Sequence, residues 1–271
     1  MPVLSALHVY PIKSCAGISV TEWEVDAFGF CFDRRWMLVT PRGHFLTQRE
    51  LPALALVRVV ISPPHLRVTA PGAPELMTPL APQGGRPVAT EVWGDPLRAV
   101  APDHKADEWF SSYLGHEVVL LYVPDEAVRE VDRDYAPEGG RTGFADGFPF
   151  LLVGEASLAD LNARLATPLP MNRFRPNLVV GGSAPFAEDG WRRILIGSIP
   201  MQVVKPCARC VVTTTDQATG QRDGDEPLRT LATFRRQDDK VMFGQNVVHY
   251  GVGRLKVGDA VGIESAVPSA G

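Results

Sequence analysis

The stretch KPCARCVVTTTDQATG, residues 205–220, holds two of the four cysteines, Cys207 and Cys210, at CxxC spacing. Several chemistries suit such a pair. Structural zinc takes four ligands, but Cys15 and Cys31 are isolated and the six histidines are scattered, so no second close pair completes a site. A thiol redox pair wants a helix N-terminus, where the dipole lowers the thiol pKa. Here the β-branched run CVVTTT favours a strand instead. Both cysteines can also be plain core residues. The remaining option is one thiolate acting alone on a metal or substrate, with Lys205 and Arg209 nearby to hold it deprotonated.

Basic residues recur at other turns. YPIKSCAG offers Lys13 and Ser14, FGFCFDRRW offers Arg34 and Arg35, FLTQRE offers Thr47 and Arg49, and MNRFRPN offers Arg173, Arg175 and Asn177. Taken singly, each reads as a solvated turn or a surface salt bridge. Together they can line an anionic pocket, because the planar arginine fork suits phosphate. Neither common nucleotide-phosphate cradle is available, since no glycine-rich fingerprint of either kind occurs.

The elements that must position these groups are short. With 25 glycines and 24 prolines in 271 residues, regular segments are interrupted often. Strands are expected at LHVYPI, RWMLVT, VRVVI, LRVTA, EVVLLYV, FLLVG, NLVVGG, RRILIG, MQVVK, CVVTTT and GRLKVGDAVGI. LRVTA alternates as a half-buried strand does, while VRVVI and EVVLLYV read as more fully buried. Two segments read as helices: DHKADEWFSSYLG, with an aromatic stripe and Gly115 as a stop, and GEASLADLNARL. Many strands with few helices point to barrel-like sheets rather than repeated βαβ units. The loop-rich stretch REVDRDYAPEGGRTGFADGFP is long enough to expect a function. A domain boundary is expected near residues 95–117.

Composition narrows the partners. A net charge of −4, from 27 basic and 31 acidic side chains, gives no overall attraction to a nucleic acid duplex or anionic lipid. No apolar run approaches the roughly 18 residues of a spanning helix. The start, MPVLSALHVYPIKS, lacks a signal-peptide pattern. Four cysteines are too few for a disulfide framework in a chain of this size, and a reducing, cytoplasmic setting is expected.

The motifs YPIKSCAG, FDRRW, TQRELP, RFRPN, CARCVVTTTDQATG, FGQNVV and GRLKVGDAV, in that order, span nearly the whole chain. In this the sequence resembles the MOSC domain proteins, and among them the amidoxime reducing components and their bacterial relatives. The resemblance implies a mixed α/β, predominantly β fold: a β-barrel MOSC core at 118–265, an associated N-terminal β-barrel domain at 1–100, a connecting helix at 101–117 and a tail at 266–271. It implies a molybdenum–molybdopterin cofactor of the sulfite-oxidase type, with Cys210 as the single protein thiolate on the metal and Cys207 not a ligand. Lys13, Ser14, Arg34, Arg49, Arg173, Arg175, Asn177 and Arg209 are the implied cofactor-binding residues. Asp146 is an implied catalytic carboxylate that accepts or relays a proton. The implied activity is two-electron reduction of a small N-hydroxylated substrate. The chain lacks the cluster-cysteine spacing of a plant-type iron–sulfur domain, so electrons are expected from a separate ferredoxin, flavoprotein or haem protein. A different function within the same resemblance is a sulfur or cofactor carrier that uses a Cys210 persulfide. Pyridoxal phosphate binding is a further family-level label, without support in these residues.

Overall fold

The computed structural model describes residues 1–137 and 139–267. Most of the tail expected at 266–271 therefore lies outside the described residues. The largest sheet has nine strands. Its order runs Val261–Ala266, Trp191–Ile196, Ile199–Arg209, Lys240–His249, Phe150–Gly154, Leu178–Gly181, Val3–Val9 and Ile18–Val20, with the short strand Arg236–Gln237 paired beside Lys240–His249. It contributes Leu4, Leu7, Phe150, Leu178, Val180, Ile194, Ile196 and Val247 to one core cluster, in which Phe30 from a neighbouring sheet is also buried.

Three smaller sheets complete the protein. Trp36–Val39, Val119–Tyr122, Asp95–Ala101 and Arg86–Val92 form one; Gly253–Lys256, Glu22–Asp26 and Gly29–Phe30 form another; Arg58–Ser62, His65–Thr69 and Leu76–Pro79 form the third. In His65–Thr69 the alternation holds: Leu66 and Val68 are buried while Arg67 and Thr69 face out. The neighbouring VRVVI was expected to be more deeply buried, yet Val60 is exposed, because its strand is the outer member of a three-stranded meander covered on one face.

Among the described residues no sheet closes into a barrel, which corrects the barrel expectation. Closure needs the two end strands to pair with consistent tilt and shear. The end strands Val261–Ala266 and Ile18–Val20 form no ladder with each other, and Val3–Ala260 is only an isolated bridge near that gap. The fold is mixed α/β, predominantly β, with few helices.

Helix α1, His104–Leu114, has the expected boundaries. The Asp103 carboxylate accepts from the Lys105 amide at its start, and Gly115 takes a left-handed conformation at its end, each satisfying groups a helix end leaves unpaired. Its Ala106, Trp109 and Phe110 join a second core under the Arg58–Pro79 meander. Helix α2 is Glu155–Asn162, and a third, short helix α3, Leu228–Ala232, was not read in the sequence. The segment CVVTTT is not a strand. Val211–Thr214 is a 3-10 turn in which Thr213 Oγ1 donates to the Cys210 carbonyl and Thr214 Oγ1 to the Val211 carbonyl. Those local hydroxyl bonds outweigh β propensity, and the strand that counted against a redox pair is absent.

Candidate anion-binding cleft

A cleft of about 850 Å³, solvent at its mouth included, opens where the end of strand Ile199–Arg209 meets the loops after Val9, Phe30 and Phe144. It is lined by Lys13, Ser14, Arg34, Arg49, Asp146, Arg175, Asn177, Arg209 and Cys210, and Cys207 also reaches it. Ten of the residues quoted from separate motifs thus come together. Arg173 does not line it. That guanidinium is buried behind the 3-10 turn, donating Nε to the Thr213 carbonyl and Nη2 to the Thr214 carbonyl, each at 2.9 Å. It fixes the turn that follows Cys210.

The cationic wall is built around Tyr10. The Arg34 and Arg175 guanidiniums lie 4.3 and 4.4 Å from the centre of its ring. The tyrosine hydroxyl donates to the Pro176 carbonyl, and burial pushes its pKa up to about 12 against the pull of the two arginines. Both arginines have left-handed backbones, φ 46° and 56°, a conformation uncommon outside glycine. Arg34 is braced by Asp33 at 2.6 Å and by the Asn177 side-chain oxygen at 2.9 Å. The Arg175 carbonyl accepts from Arg34 Nη2, but its guanidinium has no hydrogen-bond or ion-pair partner among the described residues, and burial lowers its pKa to about 10. Its donors remain free for a ligand.

The opposite wall pairs a cation with the cleft's one carboxylate. Lys13 is buried and donates to Asp146 Oδ1 at 2.6 Å and to the Phe144 carbonyl at 2.7 Å. Burial would raise the Asp146 pKa, but Lys13, the Trp93 indole N–H at 3.1 Å and the charge of Arg49 bring it well below the usual carboxylate range. Asp146 is therefore ionised at neutral pH. On the cysteine side, Arg209 donates Nη1 to Cys207 Sγ at 3.0 Å and Nη2 to the Phe174 carbonyl at 2.7 Å, leaving its buried Nε without a partner. Cys210, half-buried, is the cap residue of the 3-10 turn.

Five cations against one carboxylate make this an anion site with thiols at its edge. Among the described residues no group of three or more His, Cys, Asp or Glu could hold a metal, so a multi-ligand protein cage is not what the cleft offers. It gives pyridoxal phosphate no support, its lysine being committed to Asp146.

Sequence reasoning missed several residues that hold the site. Asp33 accepts from the Tyr10 amide, Arg34 and Asn177; it lay inside the quoted FDRRW motif, which was the available signal. Trp93 carried none, and Arg129 only its place at the start of the loop-rich stretch REVDRDYAPEGGRTGFADGFP. Arg129 is 3% exposed and donates to the carbonyls of Gly143, Ala145 and Asp146, to the Val92 carbonyl and to Asp95. It pins the loop that carries Asp146.

Comparison with known proteins identifies the family. The family model of the MOSC N-terminal beta barrel domain matches residues 1–117, and that of the MOSC domain matches residues 139–262. The chain belongs to the MOSC-domain proteins, and within them it is homologous to the mitochondrial amidoxime reducing components. It is 35% identical to mitochondrial amidoxime reducing component 2 of Rattus norvegicus, over 95% of this chain and 82% of the relative. It is 32% identical to component 1 of Homo sapiens over the same shares. The molybdenum cofactor sulfurase of Oryza sativa is 31% identical over 89% of this chain, which corresponds to 32% of that longer protein. A solution structure from Bordetella bronchiseptica covers 43% of this chain and 87% of its own, at 22% identity and a TM-score of 0.33.

Proposed function

We propose that the protein is a molybdenum-cofactor-dependent reductase of N-hydroxylated compounds, supplied with electrons by a separate ferredoxin, flavoprotein or haem protein. The observation that carries the reading is the half-buried Cys210 in a cleft with five cations and a single carboxylate. That donor set fits a pterin bearing a phosphate. The partnerless Arg175 guanidinium and the orphaned Arg209 Nε are donors in search of acceptors, and a lone thiolate is a suitable ligand for a soft-accepting metal.

When bound, the cofactor supplies the two-electron chemistry that reduces an N–O bond and releases its oxygen as water. The chain's residues do the rest. Cys210 would anchor the metal, and Arg34, Arg175 and Arg209 would neutralise and orient the anionic portion. Asp146 is ionised, so it accepts a proton rather than offering one. The proton of the pair resides on Lys13, whose own pKa burial lowers against the opposing pull of Asp146. Lys13 and Asp146 together form a path for the protons that reduction consumes.

The test is protein made in a cofactor-competent host, assayed for molybdenum and pterin content and for reduction of benzamidoxime or N-hydroxycytosine with a chemical reductant. Near-stoichiometric molybdenum with turnover supports the reading. Loaded protein inert with every donor refutes it. A sulfur added to Cys210, seen by mass spectrometry without bound pterin, supports the carrier function instead.

A further inference from the structure

At the tip of the Arg86–Val92 and Asp95–Ala101 hairpin, Val92 pairs with Asp95 across the two-residue turn Trp93–Gly94. Both turn residues have positive φ, 56° and 90°. Such turns favour Asn-Gly or Asp-Gly, since few side chains tolerate the left-handed conformation. A tryptophan in the first position is the wrong residue for the turn. It is also 54% exposed, so burial does not account for it.

What the indole does is contact residues at the edge of the cleft. Its N–H donates to Asp146 Oδ1 at 3.1 Å, the Arg49 guanidinium lies 4.5 Å from the ring centre, and the Phe45 ring meets it at a steep angle. Both Asp146 and Arg49 line the cleft. The polar atom is thus already committed, and the ring is what Trp93 has left to offer. A reacting group beside Asp146 would place the rest of its molecule within one ring's width of the indole. Rigid aromatic rings bind flat partners at low entropic cost.

We propose that Trp93 selects the substrate of this cleft, its indole stacking the planar, conjugated body of an N-hydroxylated base while the N–O group lies near Asp146. The proposal rests on the reductase reading and names the substrate class within it.

The experiment uses cofactor-loaded protein with a chemical reductant. It compares kcat/KM for benzamidoxime, which is planar and aromatic, with that for acetamidoxime, which is not. Trp93→Asn installs the Asn-Gly pair that the turn prefers, so the hairpin is retained. Trp93→Phe keeps a ring but removes the N–H. Trp93→Asn is expected to lower the benzamidoxime-to-acetamidoxime ratio about tenfold, the scale of one aromatic stacking contact, through KM. Trp93→Phe is expected to recover most of it. Benzamidoxime is also expected to quench tryptophan fluorescence in the parent and not in Trp93→Phe. A ratio unchanged in Trp93→Asn overturns the proposal, as does an equal fall for both substrates, which would mark Trp93 as acting only on Asp146. A defect seen only with a protein electron donor would also overturn it, showing a docking role. If no variant turns over, Trp93-dependent quenching by benzamidoxime retains the stacking site while the reductase reading fails; absence of that quenching overturns the stacking site.

Discussion

Replacing Arg129 with methionine removes a buried guanidinium that serves four carbonyls, three of them in the loop carrying Asp146. A buried acceptor left unsatisfied costs about 1–3 kcal/mol. The Gly143 and Ala145 carbonyl contacts are buried, whereas the Asp146 carbonyl contact is only partly so. With the Gly143 and Ala145 acceptors left dry, the Asp146 one rehydrated and the long 3.5 Å Val92 contact neglected, the loss is about 2–6 kcal/mol. The Asp95 partner tells the sources apart, because its side chain is 57% exposed and an exposed ion pair contributes about 0–1 kcal/mol. Asp95→Asn should therefore cost under about 1 kcal/mol. Arg129→Lys should recover only part of the loss, as a lysine offers three donors from one point instead of a planar fork. Urea unfolding measures all three, a shift in midpoint at unchanged slope reporting stability alone. If Arg129→Met costs less than about 1 kcal/mol, or no more than Asp95→Asn, the carbonyl accounting is wrong.

The cysteines should separate under substitution: Cys210→Ser is expected to abolish molybdenum retention, and Cys207→Ser to keep it, as read by metal analysis on folded protein. Equal loss in both would defeat the asymmetric assignment. Arg175→Ala is expected to lower pterin occupancy roughly tenfold or more, the value of a charge-assisted hydrogen bond, while stability falls only by the lost stacking on Tyr10, about 0.5–2 kcal/mol, because the guanidinium has no protein acceptor to strand; unchanged occupancy argues against its role. Glu188 is buried between the Gly154 amide and the Ser157 hydroxyl, and burial raises its pKa above 4.5. The native state thus keeps a proton that the unfolded chain releases, and this contribution is lost as pH rises from 4.5 through the raised native value. Relative to the parent, Glu188→Gln should gain stability over that rise; a pH-independent difference in unfolding midpoints would contradict the assignment.

The candidate cleft was largely legible because its residues sit in short contiguous motifs. RFRPN and CARC each bring a cation and a neighbour whose roles are local, and both reached the same cavity. Arg173 shows the limit: alternate residues at a bend need not point the same way, and only Arg175 turned into the cleft. Arg129 was unreadable because its acceptors are mostly carbonyls, which every residue carries. Trp93 was unreadable because its value lies in the turn it violates, and the turn is visible only once Val92 and Asp95 pair. Strand content was evident from β-branched runs, but closure was not, since pairing between chain-distant edge strands leaves no local trace. CVVTTT misled because threonine is both a strand former and a residue that bonds its own backbone.

The first strand, Val3–Val9, lies inside the large sheet, bonded on one side to Ile18–Val20 and on the other to Leu178–Gly181. Glu22–Asp26 likewise pairs with Gly253–Lys256. During synthesis one edge of each of these strands must wait until roughly 170 to 230 more residues have been added before its partner exists, and an unpaired strand edge is sticky while it waits. Such distant pairing makes for slow maturation. Yield in a host should therefore depend on chaperone supply and temperature, and trimming the last strands should release the first ones as well.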